Sequence, residues 1–146
     1  MTTEEVRAAL EASREALLSA IRGLTERDFA AELGDGESVL VALLLLARAE
    51  RDAVRSALGA AGAASRPLPR RVRQSRPVPP QVIHDLAGAR YETLFFLDTL
   101  DSGNSAAAKD VGILRVLSEV ATREQAVAAR ISALAGRHSD LGASSA

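Results

Sequence analysis

At 146 residues and 15.3 kDa, the chain has the length of one domain and can bury enough apolar surface to fold without a disulfide or a structural metal. Apolar residues make up 47% and charged residues 25%, as in globular proteins, and the absence of Cys excludes disulfides, thiolate nucleophiles, zinc fingers and iron–sulfur ligation. A net charge of −1, 3% aromatics and no Trp provide neither the field nor the stacking surface that nucleic acid or an acidic membrane would need.

The N-terminus, MTTEEVRAAL, carries acids near its start and no long apolar run, unlike a secretory signal. The longest apolar stretch, Val39 to Ala47, is nine residues, short of the ~20 that span a bilayer. A cytoplasmic protein without membrane or nucleic-acid partners is expected. The first helix is predicted from Thr3 to Leu24, opened by a capping box between Thr2 and Glu5. Val6, Leu10, Leu17, Ile21 and Leu24 form its apolar stripe, and Arg7, Glu11, Arg14 and Glu15 its solvated side. Residues 25–37, with Gly34, Asp35 and Gly36, read as a connection.

A second helix is expected from an N-cap at Ser38 to Leu58. Its first half, VLVALLLLA, is apolar all round, which implies a central position or a face turned to a second chain. Residues 59–80 read as a linker holding all five Pro, together with Arg66, Arg70, Arg71, Arg73 and Arg76 and no acid. Residues 1–37 hold nine acids against four Arg, so docking of this basic segment on the acidic one is expected ahead of anion binding. A third helix begins near Pro80 and runs to Leu100. After a loop, Asp110 caps a fourth helix that Gly136 should stop. Its stripe is Ile113, Leu117, Val120, Val127, Ile131 and Leu134, with one charged intruder, Glu124. The expectation is an all-α four-helix bundle over residues 1–136, with a long Pro/Arg-rich crossover between helices 2 and 3 and a disordered tail over 137–146.

Two stretches resemble the DinB/YfiT-like superfamily of bacterial four-helix bundles. ESVLVALLLLARAERD, Glu37 to Asp52, is similar to the second-helix pattern Trp-Ser-Val-Arg-x-x-x-x-His-Leu-x-x-x-Glu. REQAVAARI, Arg123 to Ile131, is similar to the fourth-helix pattern His-Glu-x-x-His-x-x-Gln-Ile. Such bundles often hold nickel or zinc on three His, one from the second helix and two from the fourth, four residues apart and so on one helical face. The resemblance places these ligands at Leu45, Arg123 and Val127, none of which can bind a metal, and puts Glu37 where the family has Trp. It therefore implies a vacated site and no cofactor. Leu45 and Val127 should fill the space with hydrocarbon. Arg123 should either pair with Glu50 or Glu124, or reach solvent at the stripe's edge, with Glu119 one turn before it.

Other chemistry is thinly represented. A Glu50–Glu124 metal site would need further carboxylates and Glu-x-x-His pairs that the sequence lacks. His84, near the start of the third helix, reads as a surface residue before a general base, and His138 lies towards the C-terminus. No phosphate loop, nucleophile elbow or His-Glu-x-x-His motif is present. No catalytic residue is assigned. A non-catalytic binding or structural protein is expected, with a thiol-dependent S-transferase or isomerase lacking the His site as the alternative. The small-molecule ligand is not specified by the sequence. A homodimer is expected through Leu40 or Leu44 of the second helix.

Overall fold

The computed structural model describes residues 2–34, 36–60, 78–101 and 111–144. Four long helices and one short one are present, α1 (Thr3–Ile21), α2 (Glu26–Ala30), α3 (Val39–Ala60), α4 (Pro79–Asp101) and α5 (Val111–Ser144), with no strand among the described residues. The all-α bundle expected from the stripes is the observed architecture. Residues 61–77 of the Pro/Arg-rich crossover, with Arg66–Arg76, lie outside the described residues, as do the loop after α4 and Asp110; at the edges of the expected linker α3 runs on to Ala60 and α4 opens at Pro79.

Local chemistry sets the helix starts. The Thr2 hydroxyl accepts from the Glu5 amide while the Glu5 carboxylate accepts from the Thr2 amide, closing the expected capping box. Ser38 caps α3 by accepting from the Val41 amide at 3.2 Å. Two predicted boundaries move. The first helix stops at Ile21, three residues early, and the chain turns at Gly23, whose φ of +86° suits glycine. Within the predicted connection, Thr25 and Asp28 form a second capping box and raise α2, which buries Phe29.

The last helix departs most. It passes through Gly136 to Ser144, so most of the expected disordered tail, including His138, is helical. A single glycine costs a helix only about 1 kcal/mol relative to Ala, and it stops one only where the chain turns into the left-handed region.

Around the bundle, α1 packs along α5, α5 against α3 and α3 against α4, while α1 and α4 touch only lightly. This explains the apolar first half of α3: it meets α2, α4 and α5. The core has two parts. One contains Leu17, Ile21, Phe29, Leu43, Leu86 and Ile131, among others, and the second contains Val6, Leu10, Val54, Phe96, Leu97 and Leu117. Between them lies a polar layer.

Candidate functional site

The stripe of each long helix is interrupted by a polar residue at the level between the two apolar clusters. On α1 it is Ser13, between Leu10 and Leu17, with Arg14 beside it. On α3 it is Glu50, between Ala47 and Val54, and on α5 it is Glu124, between Ala121 and Val127. On α4 it is Arg90 and Thr93, between Ala89 and Phe96. Glu50 and Glu124 are each only 1% exposed. Burial of two carboxylates at that depth requires compensating charge.

Arg90 and Arg14 supply it. The Arg90 Nε donates to Glu50 Oε1 at 2.7 Å, its Nη2 to both oxygens of Glu124 at 3.2 Å, and its Nη1 to the Leu10 carbonyl at 2.7 Å. Arg14 approaches from the α1 side. Its Nη2 and Nε donate to Glu124 Oε2 at 3.0 and 3.3 Å, its Nη1 donates to the Leu86 carbonyl, and its Nη2 lies 3.6 Å from Glu50 Oε2. The Ser13 hydroxyl completes Glu124 at 2.7 Å. Each long helix thus contributes one charge to a neutral group of two guanidinium and two carboxylate side chains. The planar fork of arginine suits this arrangement, since one guanidinium reaches three acceptors without leaving its plane.

Two of the residues singled out from sequence, Glu50 and Glu124, meet at this centre, and they are the residues that match the glutamates of the two motifs. Arg123 does not join them. It is exposed, so neither an Arg123–Glu50 nor an Arg123–Glu124 pair forms. The cations come from α1 and α4 instead, and Arg14, which reads as part of a solvated face, turns inward. Of the expected hydrocarbon filling, Val127 is buried, but Leu45 is 42% exposed on the outer side of α3. Glu119 also lies outside, 3.9 Å from Arg115 and exposed with it. The three positions that the resemblance assigns to a metal therefore do not converge, and none carries a donor. Among the described residues no three His, Cys, Asp or Glu are grouped as metal ligands would be. The residues present do not fit the metal of the superfamily. His84 is exposed, and neither it nor any cysteine adjoins the cluster.

The light contact between α1 and α4 leaves a cleft of about 860 Å³ whose lining includes Arg14 and Arg90 of the cluster together with Glu11, Leu18, Arg22 and Leu94. Its size is that of a small-molecule site. At one end of the same seam a second ionic contact ties α1 to α4. Arg7 Nη2 reaches Asp98 at 2.6 Å and Asp101 at 2.9 Å, and the Thr3 hydroxyl also donates to Asp101. The Asp98 hydrogen bond holds the Arg7 guanidinium above its ordinary pKa. The Thr3 hydroxyl, and then Arg7, hold the Asp101 carboxyl below its own.

A signal for the missed arginine exists in the sequence. Val82, Leu86, Arg90, Thr93 and Leu97 follow three–four spacing, so Arg90 interrupts the α4 stripe much as Glu124 interrupts that of α5. One charge on each of several stripes, of opposite signs, is a pattern that points to pairing. Comparison of the chain with family models, curated proteins and solved structures gives no match.

Proposed function

We propose that this chain is a DinB/YfiT-like helical bundle that has lost the metal site of that superfamily and serves in the cytoplasm as a non-catalytic binding or structural protein. The observation that carries this reading is the salt-bridged centre. Both buried carboxylates are engaged by guanidinium groups, and two fixed cations at that place oppose the entry of a divalent ion. The two matched glutamates lying together at the centre support the resemblance. No helix among the described residues is long and apolar enough to cross a membrane, which accords with a cytoplasmic setting. A small ligand would enter through the α1–α4 cleft, where Arg14 offers a polar contact beside Leu18 and Leu94.

The competing reading is a thiol-dependent transferase or isomerase, for which the metal of the superfamily activates a low-molecular-weight thiol. The test is transfer of glutathione, mycothiol or bacillithiol to a chromogenic electrophile, with and without added zinc or nickel. The proposal expects rates equal to the protein-free background in every combination. Saturable, metal-dependent turnover would replace it with the transferase.

A further inference from the structure

Two rings of α4 are left in water. Tyr91 is 74% exposed and Phe95 63%, so half of the four aromatic residues in the chain lie outside the core, four residues apart on one helix. Exposed rings grouped in this way mark a binding surface. By contrast, Leu40 and Leu44, expected to face a second chain, are half-buried and pack against the core of their own protomer.

Both rings border a groove of about 490 Å³ between α3 and α4. Buried Val54 and Phe96 also line it, and its charged groups are Arg55 of α3 and Glu92 of α4. The groove lies on the α3 side of α4, whereas the cleft beside Arg14 and Arg90 lies on its α1 side. Its volume is that of a small-molecule pocket.

The charges of the groove do not balance. Glu92 stands 4.0 Å from the Nε of Arg51, one turn before Arg55, so this acid already faces a cation. Gly88 makes the approach possible: a Cβ there would lie 3.1 Å from Arg51 Nη2, and its absence leaves the room in which the guanidinium lies. Even so, the buried Nε of Arg51 has no hydrogen-bond partner. Arg55 is half-buried and, among the described residues, has neither a hydrogen bond nor a carboxylate within 4.0 Å. One cation is thus left over beside two exposed rings. A guanidinium partly withdrawn from water is best satisfied by a carboxylate, whose two oxygens match its fork. A single negative charge neutralises the groove, while a second would be repelled by Glu92. The rings favour a flat aromatic body, which gains offset or edge-on contacts beyond its burial.

We propose that the α3–α4 groove binds a small aromatic monocarboxylate, with its carboxylate on Arg55 and its ring against Tyr91 and Phe95. This site is separate from the buried charge cluster and does not depend on the origin of the bundle.

The test is calorimetric titration of the full chain with 2-naphthoate. Tyr91 is the one tyrosine and there is no tryptophan, so the fluorescence of the chain reports on the groove directly. The expected result is saturable binding of one 2-naphthoate per chain, with quenching of that fluorescence. 2-Naphthamide, which lacks the charge, and cyclohexanecarboxylate, which lacks the aromatic ring, should each bind at least about tenfold more weakly. Arg55→Gln should weaken 2-naphthoate by a similar factor, as should Phe95→Ser, both with unchanged helical circular dichroism. If a variant loses its helical signal, the contrast among the three ligands decides. Absence of saturable binding up to millimolar concentration would overturn the proposal. Unchanged affinity in folded Arg55→Gln would place the acid elsewhere on the molecule, the α1–α4 cleft included, and overturn it equally. So would equal affinity for 2-naphthamide, which would leave the groove without a role for its cation.

Discussion

Arg90 is the residue on which the centre depends, because it alone is hydrogen-bonded to both buried glutamates and to a backbone carbonyl of α1. Its replacement by Leu leaves Glu50 with only the 3.6 Å approach of Arg14. We predict a loss of about 3–5 kcal/mol in urea unfolding for Arg90→Leu, the range for removing one partner of a buried pair. Arg123→Leu should change stability by less than about 0.5 kcal/mol, because the side chain is exposed and outside the cluster. Sequence showed one side of this network and hid the other. A glutamate on an apolar stripe is conspicuous, since its short side chain cannot easily escape burial. An arginine is ambiguous, since its long stem can lie on the stripe with its head in water. Arg123 and Arg14 were therefore open to opposite assignments, and only the packing of α1 against α5 resolves them.

At the scale of the element, the seam between α1 and α4 is closed at one end by Arg7, Thr3, Asp98 and Asp101 and opens into the cleft beyond. The Asp101 carboxyl lies below its ordinary pKa of 3.8. Its contribution is thus present above that value and is lost as the pH falls through the lower, folded value. Asp101→Asn should be less stable than the native chain near neutrality, and the difference should vanish in unfolding curves recorded as the pH falls below 3.8. On α3, neighbouring leucines should behave differently. Leu43→Ala should cost about 2–5 kcal/mol, as Leu43 is fully buried, while Leu45→Ala should cost less than about 0.5 kcal/mol. The run of apolar residues in α3 concealed that difference, because a helix with no polar face has no readable orientation. The stripes of α1 and α5, which alternate with charge, gave their buried faces directly. Boundaries were harder where glycine was the cue, since Gly23 turns the chain and Gly136 does not.

For the whole molecule, a neutral layer of charge separates two apolar clusters and links all four long helices. Such a layer specifies how the helices are registered more than it stabilises them, because desolvation of four ions offsets most of their attraction. Replacing Arg14, Glu50, Arg90 and Glu124 together by Leu or Met should therefore be neutral, or stabilise the fold by about 1–4 kcal/mol in the same urea assay, although Arg90→Leu alone is costly. Ser13 would keep a partner in that variant, since its hydroxyl also donates to the Leu10 carbonyl at 3.1 Å. A quadruple variant weaker than Arg90→Leu would mean that the layer is a net source of stability. The central claim is that both buried glutamates of this layer are taken up by arginine and hold no metal, and the most direct test is the metal content of the untagged, purified protein. Mass spectrometry before and after dialysis against zinc or nickel should find no stoichiometric metal in either sample. One tightly held equivalent per chain would contradict the account and require ligands other than the paired Glu50 and Glu124.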